Sequence, residues 1–418
     1  MISDSYEKGS QPMKYIVLLG DGMGDYPLAE LGDKTPLQCA RTPNMDRLAK
    51  EGTLGLVDTI PEGFTPGSDV ANLSVLGYDP HECYSGRGPL EAANMGIHLD
   101  PGDVAFRCNL VSLSVGPPVI MDDFTSGHIS SAEAREIILS LQAELGSEAF
   151  QFFPGVGYRH LLVWRSGVDA VRTTPPHDIT GKAVEAYLPA GENGTILLEL
   201  MERAESVLKD HPVNRERLAN GKKAANAIWP WGQGKAPAMV PMTEKYQLRG
   251  GVISAVDLLN GIGVYAGLDV LRVEGATGYT DTNYRGKGEM ALECLRDRDF
   301  VFVHVEAPDE MGHEGNVKGK IKAIEDFDEK VVGTVLNGLS AFDSWRLLVL
   351  CDHPTPIVLK THAADASPFA VLSSIAGENR KNGRGYSEAE GRESGVFVSP
   401  GHRLMDIFIR DWSRFVAG

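Results

Sequence analysis

Tyr15-Ile16-Val17-Leu18-Leu19-Gly20-Asp21-Gly22-Met23-Gly24 is the stretch that sets the fold of this chain. An unbroken apolar run of this kind is the mark of a strand buried on both faces, as in a parallel sheet. The glycines that follow make a loop, and Asp21 stands at its start. Loops at the carboxyl ends of parallel strands are where an open α/β sheet gathers its ligands. A carboxylate set directly after a buried strand costs free energy unless something pairs with it.

The sequence on either side continues the α/β pattern. Pro43 opens a helix through Asn44-Met45-Asp46-Arg47-Leu48-Ala49-Lys50, and Gly52 stops it. A strand is expected near residues 54–60. Val70, Leu73 and Leu76 have helical spacing, so Ser68 or Asp69 stands at or beside a helix N-terminus. The same pattern returns with a strand at 300–305, a long helix from 317 to 339, strands at 345–350 and 368–372, and a last amphipathic helix over 404–416. Between residues 122 and 290 the character changes. A helix with a good capping start follows His128, a strand is expected at 158–164 and a charged helix at 197–209, and a Pro/Trp/Gly loop is expected at 228–234. None of these resembles the first strand-loop unit. The chain therefore reads as a discontinuous core over 13–121 and 291–418, with a smaller α/β (α+β) domain of residues 122–290 inserted into it.

Composition narrows the function. The chain has 418 residues, 42% hydrophobic and 23% charged, which is ordinary globular composition for two or three domains. A net charge of -17 argues against nucleic-acid binding, since neutralising phosphates needs a basic face. A phosphorylated small molecule needs only a local cluster of Arg and Lys. No apolar run approaches the roughly 18 residues needed to span a membrane. The stretch Met1–Lys14 is polar, lacks a hydrophobic signal core and reads as a short extension. Cys39, Cys83, Cys108, Cys294 and Cys351 are odd in number and show no CxxC spacing, so they read as reduced residues of a cytoplasmic protein. The sequence leaves the oligomeric state open.

Five scattered segments carry candidate chemistry: Asp21 in its glycine loop, Ser68 in Thr-Pro-Gly-Ser-Asp, Asp309 and His313 in Ala-Pro-Asp-Glu-Met-Gly-His, Asp352 and His353 in Cys-Asp-His-Pro, and His362 in Lys-Thr-His. In a helix, Asp309 and His313 would share one face and could share a metal. Asp352 and His353 would point apart in a strand, but a turn before Pro354 lets both reach one ion. Mixed carboxylate and imidazole ligands suit Zn²⁺ or Mn²⁺ better than Ca²⁺ or Mg²⁺. A two-ion site of this kind is suited to clamping a phosphoryl group and acidifying a hydroxyl such as that of Ser68. Each residue alone has a plainer reading. Ser68 could be a helix cap, Asp21 a turn cap, and His313, His353, His362 and His402 solvated or hydrogen-bonded histidines. The case rests on their joint occurrence.

Longer motifs carry a resemblance. Ile-Val-Leu-Leu-Gly-Asp-Gly-Met-Gly-Asp, Ala-Arg-Thr-Pro-Asn-Met-Asp, Thr-Pro-Gly-Ser-Asp-Val-Ala-Asn-Leu-Ser-Val-Leu-Gly-Tyr-Asp-Pro, Tyr-Ser-Gly-Arg-Gly-Pro-Leu-Glu-Ala, Val-Glu-Ala-Pro-Asp-Glu-Met-Gly-His and Cys-Asp-His-Pro-Thr-Pro occur in that order. In these the chain resembles the archaeal-type 2,3-bisphosphoglycerate-independent phosphoglycerate mutases of the alkaline phosphatase superfamily, over nearly its whole length. The resemblance implies an alkaline-phosphatase-like core with a mostly parallel sheet flanked by helices. It implies a cytoplasmic glycolytic isomerase that interconverts 3-phosphoglycerate and 2-phosphoglycerate through a phosphoserine intermediate. Asp21, Ser68, Asp352 and His353 would match one metal's ligands, with Ser68 as nucleophile. Asp309, His313 and His362 would match the second metal's ligands, with His402 the alternative to His362. Two divalent ions are implied, Mn²⁺ first, with Zn²⁺, Co²⁺ or Mg²⁺ as alternatives. His128, Arg159 and Asp178 look like substrate-contacting positions, with Asp178 also a general acid and base. Lys287 looks like the lysine that lowers the serine's pKa. A metal-dependent phosphatase, or a homoserine-kinase-like phosphotransferase, is the competing reading of the same core.

Overall fold

The apolar run Tyr15–Leu19 lies within a strand whose every residue is buried. The protein is described from a computed structural model over residues 12–418; residues 1–11, most of the expected N-terminal extension, lie outside the described residues. The strands, in chain order, are β1 (Lys14–Gly20), β2 (Thr53–Val57), β3 (Val104–Leu113), β4 (Met121–Asp123), β5 (Phe150–Val156), β6 (Arg159–Trp164), β7 (Ala227–Gly234), β8 (Gly250–Ile253), β9 (Asp269–Val270), β10 (Phe300–Val305), β11 (Trp345–Leu350), β12 (Ser367–Ser373) and β13 (Phe397–Val398).

Eight of them form one sheet in the order β13-β2-β12-β11-β1-β10-β8-β9. Its centre is parallel: β1 pairs with β10 on one side and β11 on the other, and β10 pairs with β8. Only β12 runs antiparallel, against β11 and β2. Ile16, Leu18, Val301, Val303, Leu347 and Val349 project to one face, where they pack with Met45, Leu48, Ile324, Phe327 and Val331 from the flanking helices. Alternate residues of a strand face opposite sides, so helix-covered faces on both sides require the continuous apolar runs seen in the sequence.

The expected long helix is interrupted. Val317–Asp326 is helical, a wider π-helical turn follows over Phe327–Val332, and the helix resumes at Gly333–Gly338. The turn carries Asp328, whose carboxylate accepts the Asn44 N–H at 3.2 Å and the Met45 N–H at 2.7 Å. Thr42, at the N-cap of helix Pro43–Glu51, makes no side-chain cap bond. Asp328 therefore caps that helix from a neighbouring one, which no local pattern signals.

The chain divides into two compact units, one through Tyr84 together with Met239–Gly418, the other Ser85–Ala238. Both boundaries differ from the expected insertion of 122–290. At the first, residues 104–113 form β3, which pairs with β6 and β7 and buries Phe106, Cys108 and Leu110 in the second unit's own core. At the second, β8 joins the large sheet, and helix Tyr284–Cys294 packs Tyr284, Ala291 and Cys294 into the core of that sheet. The expected Pro/Trp/Gly loop is also a strand. Pro230 of β7 lies opposite Cys108 of β3, the strand with which β7 pairs. At a sheet edge the missing proline N–H costs no ladder bond.

In the first unit Arg346 of β11 anchors the C-terminal helical segment. Its guanidinium donates to both oxygens of buried Glu378, at 2.7 and 2.6 Å, and to the Phe408 carbonyl at 2.7 Å. Burial opposes ionisation of Glu378, but the hydrogen bonds from Arg346, Ser413 and Ser373 outweigh it and bring the carboxyl down to about 2 from an ordinary 4.5. A carboxylate depressed on folding stabilises above its unfolded pKa and loses that contribution as pH falls toward the folded one. Glu378→Gln is therefore expected to be less stable than the natural chain at neutral pH, with the difference shrinking as pH falls from about 4.5 toward 2. Denaturant midpoints measured across that range check this; a difference that does not change with pH rejects it.

Candidate functional site

β10, β1 and β11 are adjacent and end at one edge, with Gly20 level with Val305 and Leu19 level with Leu350. Each delivers polar residues there. Asp21 follows β1, His304 lies in β10 with Glu306 just beyond, and Asp352 and His353 follow β11. After Glu306 the chain turns into helix Ala307–Glu314, which puts Asp309 and His313 one turn apart on one face. Gly22 must be glycine here, because a Cβ at that position, with φ +61°, would stand 2.6 Å from Asp309 Oδ1.

The side chains converge in two adjoining groups. His313 Nε2 lies 3.1 Å from Asp309 Oδ2 and 3.0 Å from His362 Nε2, and His362 Nε2 lies 3.7 Å from Asp309 Oδ1. The other group joins Asp21, Asp352 and His353: His353 Nε2 is 3.5 Å from Asp21 Oδ1 and 3.6 Å from Asp352 Oδ2. Ligand atoms of Asp309, His313 and His362 lie within 4.8 Å of one another, and so do those of Asp21, Asp309 and His353. Backbone carbonyls orient the imidazoles. The Lys360 carbonyl faces His313 Nδ1 at 3.0 Å and the Pro66 carbonyl faces His362 Nδ1 at 3.3 Å, so both rings turn Nε2 inward. Thr355 Oγ1 donates to Asp309 and lies 3.3 Å from His353 Nδ1. His402 instead lies 3.9 Å from Asp79, outside both groups.

Ser68 is the first residue of helix Ser68–Val75, with extended Gly67 as N-cap. Its Oγ is 3.2 Å from His353 Nε2. Asn72, one turn on, donates at 2.9 Å to both the Ser68 carbonyl and Asp352 Oδ2, tying the helix to the ligand set. A helix N-terminus turned toward these residues is a favourable place for a phosphate.

The electrostatics call for a cation. Asp21 is fully buried, and its carboxyl is pushed well above the usual range by burial and by Asp352, Glu306 and Asp309. Glu306 rises to about 8, by burial first and then by Asp309. Burial also opposes ionisation of Asp309, but the His313 hydrogen bond and the charges of His353 and His313 hold it far below the usual range. Asp21 Oδ1 is buried and accepts no hydrogen bond. A buried carboxylate oxygen without a donor, beside imidazole nitrogens and further carboxylates, fits a divalent ion with mixed N/O ligands.

Lys287 lies behind the strands. Its buried ammonium donates to the His304 carbonyl at 2.9 Å, and burial lowers it to about 8 against the pull of Glu306. His128, Arg159 and Asp178 belong to the second unit. His128 is exposed at φ 49°, a left-handed conformation that non-glycine residues avoid. Arg159 lies over the Tyr158 ring at 5.8 Å, and Asp178 lies 3.6 Å from His177. Tyr158 and His177 both pack edge-on to Phe124, so one aromatic row joins the segments that carry Arg159 and Asp178. Sequence reasoning missed His304, Glu306, Asn72 and Thr355. Only His304 left a signal, as the one imidazole inside an otherwise apolar strand.

The model of the 2,3-bisphosphoglycerate-independent phosphoglycerate mutase family matches residues 49–214. A Geobacter sulfurreducens relative is 56% identical over 398 residues, covering 95% of this chain and 100% of its own. The chain belongs to the 2,3-bisphosphoglycerate-independent phosphoglycerate mutase family. A Methanosarcina barkeri enzyme described by that name is 57% identical, over 86% of this chain and 90% of its own. Among solved structures, a Pyrococcus horikoshii protein superposes with TM-score 0.81 at 31% identity, covering 96% of this chain and 98% of its own. A Thermoplasma acidophilum cofactor-independent phosphoglycerate mutase does so with TM-score 0.66 at 26% identity, covering 95% and 99%. This α/β architecture, with its largely parallel sheet, is thus shared with a solved cofactor-independent phosphoglycerate mutase.

Ion binding to the folded chain alone stabilises it by mass action, by about 2.7 kcal/mol at 100 times the Kd. Mn²⁺ or Zn²⁺ is expected to raise the thermal midpoint of the EDTA-treated protein, and Asp309→Asn to remove much of that rise. A midpoint that no divalent ion moves rules out the metal reading of this cluster.

Proposed function

We propose that this chain interconverts 3-phosphoglycerate and 2-phosphoglycerate by intramolecular phosphoryl transfer, independently of 2,3-bisphosphoglycerate, with Ser68 as the transient phosphoryl acceptor. The observation that carries the reading is Ser68 Oγ at a helix N-terminus, 3.2 Å from His353, within a ligand set that needs a cation. Family membership supports the substrate.

Asp309, His313 and His362 would hold one divalent ion, and Asp21, Asp352 and His353 with Ser68 a second. Mn²⁺ is the first expectation, with Zn²⁺, Co²⁺ or Mg²⁺ as alternatives. Such ions supply Lewis-acid stabilisation of phosphoryl charge and a lowered serine pKa. The remaining work falls to the protein. Ser68 Oγ, ionised by loss of its proton to solvent, forms a bond to phosphorus while the ester bond of 3-phosphoglycerate breaks, and it returns to the ionised form when the phosphoryl group leaves it in the second half. The freed glycerate oxygen takes a proton, a role we assign to Asp178. In the second half the other glycerate hydroxyl gives its proton back to Asp178 and takes the phosphoryl group from phosphoserine. Arg159 and His128 would hold the substrate's anionic groups, which a guanidinium pairs with bidentately. Lys287 would favour the ionised serine through its charge. The reaction and the five free cysteines support a cytoplasmic setting.

Purified protein with Mn²⁺ is expected to form 2-phosphoglycerate from 3-phosphoglycerate with no 2,3-bisphosphoglycerate added, and EDTA to stop it. Release of inorganic phosphate as the main product, or a requirement for ATP and homoserine, rejects the mutase reading. Ser68→Ala should lose turnover by several orders of magnitude while still binding metal. Turnover near the natural level in that variant sinks the phosphoserine route.

A further inference from the structure

We propose that His304 is the positioning residue that decides which oxygen of Asp21 faces the metal centre, and that Ser254 fixes the His304 tautomer. This inference rests on the two-metal reading of the site and adds residues that neither the motifs nor the expected ligand set contain.

The three groups lie on adjacent strands. Ser254 follows β8, His304 is within β10, and Asp21 follows β1. Ser254 Oγ accepts the Val256 N–H at 3.0 Å and lies 3.2 Å from His304 Nδ1. His304 Nε2 lies 2.7 Å from Asp21 Oδ2. As a metal ligand Asp21 is a carboxylate, which only accepts hydrogen bonds, so the proton at that contact belongs to Nε2. The neutral ring then has a lone pair at Nδ1, and the Ser254 hydroxyl, already accepting from Val256, donates its own proton there. The bonds run in one sense: Val256 N–H to Ser254, Ser254 O–H to His304, His304 N–H to Asp21.

Its consequence lies at Asp21. Oδ2 is taken up by His304, whereas Oδ1 accepts no hydrogen bond and lies 3.5 Å from His353 Nε2. Asp21 therefore offers the ion a single oxygen, Oδ1. His304 Nε2 also lies within ligand distance of Asp21 and Asp352, which raises the alternative that it binds the ion itself. The 2.7 Å contact with Asp21 argues against that. Two bare ligand atoms at that separation repel, whereas a shared proton holds them there. The ladder pairs His304 with Leu19 of β1, and the preceding Val303 with Ile253 of β8, which holds the ring's backbone in place. Groups that orient a ligand in this way are worth about 10–100-fold in metal affinity.

The test is Mn²⁺ binding to the full-length chain, by calorimetry and by pulsed electron paramagnetic resonance. His304→Leu is expected to weaken one of the two ions by about 10–100-fold and to leave the other in place. His304→Gln keeps an N–H donor and should restore most of the loss, with no change in the number of nitrogens coupled to Mn²⁺. Ser254→Ala should weaken the same ion by less. Unaltered affinity in His304→Leu, or equal loss at both ions, overturns the proposal. A coupled nitrogen missing from His304→Gln makes His304 a ligand and overturns it as well. If His304→Leu does not fold, Ser254→Ala decides, and unaltered affinity there is the overturning result. A natural chain that binds no Mn²⁺, Zn²⁺ or Co²⁺ fails the two-metal reading itself, a different outcome from two ions bound with no response to His304.

Discussion

Asp21, Asp309, Asp352 and Glu306 are carboxyl groups gathered at the edge of one parallel sheet, the three aspartates almost wholly buried. Burial and the neighbouring carboxylates oppose ionisation of Asp21 and Glu306, both of which are raised. A fold does not keep such a cluster for stability. His313, raised to about 9 by its hydrogen bond to Asp309, offsets only part of the charge. The rest of the site follows from this constraint, since a divalent ion is the kind of partner that lets such carboxylates remain charged together.

Holding them in place requires rigid support. Much of it comes from a buried ion pair outside the ligand set. Lys320 is fully buried and spends its three N–H bonds on the Gly24 carbonyl, Asp25 and the Thr355 carbonyl, at 2.9, 2.8 and 2.8 Å. Asp25 in turn accepts the Ile357 N–H at 3.2 Å. The loop that carries Asp21 and the loop that carries His353 and Thr355 are thereby tied to one ammonium. Removing one member of a buried pair leaves an uncompensated charge, so the clamp holds the two loops together or fails as a whole. The cost of a buried lysine is offset by full satisfaction of its hydrogen bonds.

The second unit carries His128, Arg159 and Asp178, the residues proposed above to handle the substrate. Its five-stranded sheet buries Phe106, Cys108 and Leu110 on one face. Between them β3 carries Arg107, whose buried guanidinium stacks 4.4 Å over Trp231 and pairs with Glu91 at 2.9 Å. Arg159 of β6 stands level with Asn109 of β3. The alternation of apolar and polar residues along β3 accounts for this split. The same alternation hides β3 from a search for continuous apolar runs, and the first domain boundary is misplaced for that reason.

Local chemistry alone settled a good deal. The apolar runs at 15–19, 300–305 and 345–350 are strands because only burial on both faces tolerates them, and the residues after them had to be at the sheet edge. Asp309 and His313 lie on one face because helical spacing puts them there. Ser68 stands at a helix start because the helical apolar spacing of Val70, Leu73 and Leu76 begins just after it. What the sequence could not carry was any relation between residues far apart in the chain. That His362 joins Asp309 and His313 while His402 goes to Asp79, that Asn72 reaches Asp352, and that His304 reaches Asp21 across a strand pair are decided by register and packing. The physical reason is that a hydrogen bond or ligand contact acts over about 3 Å, and only the tertiary structure brings positions hundreds of residues apart within that distance.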